Sequence, residues 1–166
     1  MIINYDKYLE TKEELSTIDR TNPFNVVGAY INILVSYNKD NPDNFFELMQ
    51  YLMGEYQPLS NLAKQGVNDR MNQNDKYRFI GKSYFIGATP ENDYTPELPL
   101  RLEVKTNPYT DENEGYKRLF VKSGGADLDR PITVRLAKDG NYYIWSDSYM
   151  ALLTDIRKPE SENPWA

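Results

Sequence analysis

Three stretches of the sequence place oxygen ligands or small residues at spacings that can do chemistry. Ser123-Gly124-Gly125-Ala126-Asp127 leaves a strand-like run, as phosphate loops do, and the amides of paired glycines can cradle an anion. The following segment begins Arg130-Pro131 and reads as a strand, so the helix N-terminus that strengthens a phosphate site is missing. The plainer reading is a turn whose glycines permit positive φ. Asp111-Glu112-Asn113-Glu114-Gly115 and Asp127-Leu128-Asp129 offer carboxylates to a cation. Neither follows the calcium loop with Gly at position six and Glu at twelve, so no metal site is assigned. If two of these carboxylates met in a cleft they could do acid–base work. Residues 87–96 hold Glu91, Asp93 and Tyr94 and are long for a link between strands. Long loops in small domains are often functional. The structural alternative is a loop packed by Tyr94 and stiffened by Pro90 and Pro96.

A fourth feature is aromatic. Tyr142, Tyr143 and Trp145, with Tyr116 and Phe120, can form a groove for an extended or proline-rich peptide. In a strand Tyr143 and Trp145 share one face, while Tyr142 and Ile144 share the other. One pair belongs to the core. The other is left to bind something, or to pair across strands within the sheet.

The chain holds no cysteine and no histidine among its 166 residues, which narrows the chemistry sharply. Disulfides, thiol nucleophiles, Ser-His-Asp catalysis and the usual zinc sites are excluded. Any reaction must run on Asp, Glu, Lys, Tyr, Arg or Ser. The net charge is −6, and residues 101–138 alone lean basic, with 8 basic against 6 acidic groups. An acidic chain with no strong basic block argues against nucleic acid and anionic membranes as partners. No run approaches the roughly 18 apolar residues of a membrane span. The start, Met1-Ile2-Ile3-Asn4-Tyr5-Asp6, lacks the basic-then-apolar pattern of a secretory signal, so a cytoplasmic location is expected.

The elements that must position these residues read as helices first and strands after. The first twenty residues are acidic and polar, an N-terminal arm with at most a short helix over 7–15. Asn22-Pro23 is a cap followed by proline at the first helical position. Phe24, Val27, Tyr30, Ile31, Leu34 and Val35 then recur at helical spacing. Pro42 opens a second helix with Phe45, Leu48, Met49, Leu52 and Met53 as its stripe, and Gly54 stops it. Ser60 caps a third, suggested by Leu59, Leu62, Ala63, Val67 and Met71. Ser83-Tyr84-Phe85-Ile86 reads as a short strand. Leu98, Leu100, Leu102 and Val104 alternate with polar residues, residues 117–122 form the next strand, and Ile132, Val134 and Leu136 alternate again. Asp139-Gly140 is a tight hairpin turn returning through Tyr142 to Trp145. Tyr149, Leu152, Leu153 and Ile156 suggest a short C-terminal helix, and 159–166 is a tail. The fold class is α+β: about three N-terminal helices, then an antiparallel sheet of four to five strands, in one domain spanning 1–166.

From Ser83 onward the chain resembles an uncharacterised bacterial domain family of unknown function, found mostly in Firmicutes. The resemblance rests on Ser83-Tyr84-Phe85-Ile86-Gly87-Ala88-Thr89-Pro90-Glu91-Asn92-Asp93-Tyr94-Thr95-Pro96, Asn107-Pro108-Tyr109, Glu114-Gly115-Tyr116 and residues 119–130. It also rests on Ile156-Arg157-Lys158-Pro159 and Asn163-Pro164-Trp165-Ala166. It implies one integral domain and supplies no activity.

The reading that follows is a non-enzymatic binding domain without a cofactor, engaging a protein or small ligand. Its candidate contacts are Glu91, Asp93, Tyr94, Ser123, Gly124, Gly125, Asp127, Asp129, Arg130, Tyr143 and Trp145. No residue is assigned a catalytic role. One alternative is an enzyme using carboxylates and tyrosine, with Asp127, Asp129, Glu91 and Tyr94 in a pocket between helices and sheet. Another is a structural subunit whose aromatic face is a homodimer interface.

Overall fold

Pro23–Leu34 forms the helix around which the rest is laid (α2). Asn22 caps it by accepting a hydrogen bond from the Phe24 amide at 2.9 Å, and Pro23 takes the first helical position as the sequence predicts. Every residue from Val26 to Leu34 is buried, so α2 is covered on all sides rather than along one stripe. Asp43–Met53 (α3) packs beside it and ends at Gly54. Asn61–Asn72 (α4) is capped by Ser60, whose hydroxyl accepts from the Ala63 amide at 3.0 Å. Val67 and Met71 of α4 are buried, whereas Leu62, expected on the same stripe, faces solvent. The fourth α-helix, Lys12–Ser16 (α1), is a single turn closed by a Thr11–Glu14 capping box. This computed structural model describes residues 1–165; Ala166, the last residue of the expected tail, lies outside them.

The sheet has five antiparallel strands in chain order: Ile2–Tyr5 (β1), Leu100–Lys105 (β2), Tyr116–Val121 (β3), Arg130–Leu136 (β4) and Tyr142–Ile144 (β5). The expected count is met, with one substitution of membership. Ser83-Tyr84-Phe85-Ile86 is not a strand: Lys82–Tyr84 is a 3-10 turn, held by the Ser83 hydroxyl donating to the Ile80 carbonyl at 2.6 Å. Ser83, Tyr84 and Phe85 are all buried, which a one-sided strand does not allow. The fifth strand is β1, at the start of the expected arm, which pairs with β2 from Ile2↔Glu103 to Tyr5↔Leu100. Two features hold this N-terminal segment. A Cβ on Gly28 would lie 2.6 Å from the Tyr5 hydroxyl and 2.8 Å from Ile3 Cδ1, so any larger residue would have to displace these β1 side chains. Buried Asn32 of α2 then accepts from the Leu9 amide at 2.6 Å.

The strands do not pair over equal lengths, and the sheet curls as a result. β3 and β4 share six residue pairs, but β2 and β3 share only Val104↔Val121 and Lys105↔Phe120. Beyond those, β2 swings toward β1, and residues 107–115 fold back along the released edge of β3, where the Thr110 carbonyl accepts from the Arg118 amide at 3.0 Å. The 139–140 hairpin forms as predicted, with Gly140 at φ 86°. The expected C-terminal helix is a 3-10 segment, Ser148–Leu153, whose Tyr149, Leu152 and Leu153 are buried. Among the described residues no helix is long and apolar enough to cross a membrane.

The outer edge of β5 is closed by a side chain. Gln57 donates to the Met53 carbonyl at 2.8 Å and the Ile144 carbonyl at 2.9 Å, and it accepts from the Ser146 amide at 2.8 Å. The Tyr142 amide donates to the Arg20 carbonyl at 2.8 Å. Strand-edge groups that would otherwise template another chain are thereby occupied. Gln57→Ala is expected to lower unfolding free energy by about 1–3 kcal/mol, because the Ile144 carbonyl and Ser146 amide lose their partner. Urea denaturation measures this, and a change under ~0.5 kcal/mol would remove Gln57 from this role.

Candidate functional site

Strand alternation sorts the sheet into two faces. Leu119, Val121, Ile132, Val134 and Ile144 point toward the helices and are completely buried. Tyr116, Arg118, Phe120, Thr133, Arg135 and Tyr143 alternate with them and point outward. The register places Tyr116, Arg135 and Tyr143 in one row across β3, β4 and β5. The next row is Arg118 and Thr133, extended by Trp145, whose amide donates to the Thr133 carbonyl at 2.9 Å.

A groove of about 580 Å³ opens on this outer face. Tyr116, Arg118, Thr133 and Trp145 line it from the sheet. Residues 107–115 overhang one side and bring Tyr109, Glu112 and Glu114 to the rim. The loop is well fastened: Thr110 is buried, its hydroxyl accepts from the Asn107 amide at 3.0 Å, and Lys117 forms an ion pair with Asp111. The Asp111 hydrogen bond raises the Lys117 pKa above its ordinary value, so the cation persists. The Tyr116 and Trp145 rings meet edge to face at 5.7 Å. The Arg135 guanidinium lies 4.4 Å from the Trp145 ring centroid and 5.1 Å from that of Tyr116. Arg118 lies 5.6 Å over Phe120.

Of the residues singled out in the sequence, Trp145, Tyr116, Glu112 and Glu114 line this groove, and Tyr143 and Phe120 do not. Tyr143 packs on Gly54, hydrogen-bonds to Asp139 at 2.6 Å, and receives Arg20 over its ring at 5.2 Å, with Tyr51 on the other side of that cation. Arg118, Thr133 and Arg135 were not singled out. Their signal was the alternation itself, since Tyr116-Lys117-Arg118 and Thr133-Val134-Arg135 put polar and aromatic groups on one face.

The other candidates gather where the 87–97 and 123–130 loops meet the C-terminal segment. Tyr94 is fully buried, stacks on Phe79 at 5.0 Å, and donates to the Arg157 carbonyl. Burial pushes its hydroxyl up to about 12, so it stays protonated at neutral pH. Glu91 and Asp93 are exposed, and Asp93 accepts from the Ser161 hydroxyl at 2.6 Å. Asp127 pairs with Arg157 at 2.8 Å, Asp129 with Lys105 at 3.5 Å, and Arg130 donates to the Asp155 carbonyl at 3.3 Å.

The Ser123-Gly124-Gly125 amides that suggested an anion cradle are already committed. Gly124 donates to the Ser83 carbonyl at 2.7 Å and Gly125 to the Ser123 hydroxyl at 3.1 Å, while that hydroxyl donates to Ser83 Oγ at 2.8 Å. The expected turn forms, with the Ala126 amide donating to the Ser123 carbonyl at 3.3 Å, but neither glycine takes positive φ. They are needed for close approach: a Cβ on Gly124 would stand 2.0 Å from the Ala88 carbonyl oxygen, and one on Gly125 2.2 Å from the Tyr94 hydroxyl. Gly124→Ala is therefore expected to destabilise by at least about 1–3 kcal/mol through forced displacement of the 87–97 loop. Thermal and urea unfolding measure this, and a variant as stable as the native chain would contradict the close-packed reading.

Among the described residues no three carboxylates come together as metal donors. No curated protein and no solved structure matches the chain significantly. A family described as "domain of unknown function (DUF6935)" matches residues 7–160, which takes in all four helices and β2 to β5. The chain belongs to this DUF6935 family.

Proposed function

We propose that this is a non-enzymatic binding domain whose ligand, an extended peptide segment, lies in the outer-face groove between the 107–115 loop and the Tyr116–Trp145 ring pair. The observation that carries the reading is that two aromatic rings wall a solvent-open groove on the face of the sheet not used by the core. Rings held against one another offer flat apolar area at little entropic cost, as in domains that recognise proline-rich peptides. The groove volume falls within the range of ligand sites. The space between helices and sheet, where a carboxylate enzyme would need its pocket, is packed by buried side chains of α2 and the inner strand faces.

Panning a random peptide library on the purified protein tests this. Enriched peptides are expected to lose at least tenfold in affinity against Trp145→Ala and Tyr116→Ala, because hot spots of this kind are worth about 2 kcal/mol or more. Both variants should keep native far-UV circular dichroism, since neither ring belongs to the core. Peptides that bind the folded variants as tightly as the native protein would place the site elsewhere.

A further inference from the structure

We infer that the groove selects a bipolar peptide: an acidic side chain held by Arg118 and Arg135, a basic one held by Glu112 and Glu114, and a proline or flat apolar residue between. This rests on the peptide-groove reading above. Its own warrant is the pattern of unpaired charge. Ion pairs occupy Lys7–Glu14, Arg78–Glu162, Arg101–Glu97, Lys105–Asp129, Lys117–Asp111 and Arg157–Asp127. Glu112, Glu114, Arg118 and Arg135 are in no ion pair among the described residues; the first three line one groove, and Arg135 lies over its Trp145 and Tyr116 rings.

The state of the two arginines indicates which ligand group they suit. Each guanidinium lies by a ring, Arg135 at Trp145 and Tyr116 and Arg118 at Phe120, and neither side chain donates a hydrogen bond to any described residue. A stacked guanidinium is restrained in orientation, and its N–H groups are left to find an acceptor. Such a planar fork matches a carboxylate. The register sets Arg118 opposite Thr133, two residues before Arg135 on β4, so the cations are diagonal neighbours beside Thr133. The carboxylates come instead from the overhanging loop, where Lys117 neutralises Asp111 and leaves Glu112 and Glu114 as the free negative rim. Opposite charges on the two sides of one groove give a ligand a direction as well as a composition.

The test uses blocked synthetic octapeptides on a common proline-rich backbone, with Lys and Glu separated by two to five residues. Partner peptides replace Glu by Gln, Lys by Gln, or both. At low salt the best-spaced bipolar peptide is expected to bind at least about tenfold tighter than its doubly neutral partner, with the difference shrinking at 0.5 M NaCl. Arg118→Glu with Arg135→Glu should abolish the preference for Glu over Gln while keeping the preference for Lys. A peptide with its Glu changed to Lys should regain affinity for that variant. Neutral peptides that bind as tightly as bipolar ones, but still require Trp145, would overturn the charge inference and leave the groove reading standing. Binding that ignores Trp145→Ala would overturn the groove reading itself. Absence of binding by the whole set, at every spacing, would also overturn the bipolar inference, and the library panning would then decide the groove reading alone.

Discussion

Burial of α2 on every side is the constraint from which the other arrangements follow. A helix presenting Val26, Val27, Ala29, Tyr30, Ile31, Ile33 and Leu34 around its whole circumference cannot lie on a surface. It needs a sheet under it, a second helix beside it and chain over the rest. The inner faces of β2 to β5 supply the first, α3 the second, and the N-terminal segment anchored by Asn32 covers part of what remains. Because one face of the sheet is consumed in this way, the other is left to solvent. An antiparallel sheet can tolerate that, and the outward residues are then free to serve a surface purpose.

The curl of the sheet turns that free face into a groove. β3 pairs fully with β4 but only briefly with β2, and the loop between β2 and β3 folds back over the edge this exposes. Its acidic residues therefore overhang aromatic and basic residues projecting from β3 and β4. The opposite region, where the 87–97 and 123–130 loops meet the C-terminal segment, shows the reverse economy. There Asp93 accepts from Ser161, Asp127 pairs with Arg157, Tyr94 is buried, and the glycines permit contact rather than access. Long loops and glycine pairs in the sequence mark a tightly packed junction here.

Much of this architecture was legible residue by residue. Asn22-Pro23, Gly54 and Ser60 bounded helices through local capping chemistry, and Asp139-Gly140 marked the hairpin, because these signals depend on neighbours in the chain. β1 was not legible: four residues with a single hydrophobic pair become a strand only because β2, almost a hundred residues later, offers its edge. Ser83-Tyr84-Phe85-Ile86 erred the other way, since Ser83, Tyr84 and Phe85 are buried and the Tyr84 and Phe85 amides donate within a 3-10 turn, to the Gly81 and Lys82 carbonyls. For the site, alternation identified Tyr143 and Trp145 as one face, yet could not show that Arg20, Gly54 and Asp139 claim Tyr143. Arg118 and Arg135 became neighbours only once the β3–β4 register was known.

The central claim is that Trp145 stands in the ligand's path, and the chain offers a direct reporter for it. The second tryptophan, Trp165, is 92 % exposed, so Trp165→Phe leaves Trp145 as the sole indole. Titrating that variant with a library-selected peptide while recording tryptophan emission places the peptide relative to the groove. The account predicts a saturable blue shift whose midpoint equals the Kd from calorimetry, as the ring passes from water to ligand. Saturable binding by calorimetry with no change in Trp145 emission would contradict it.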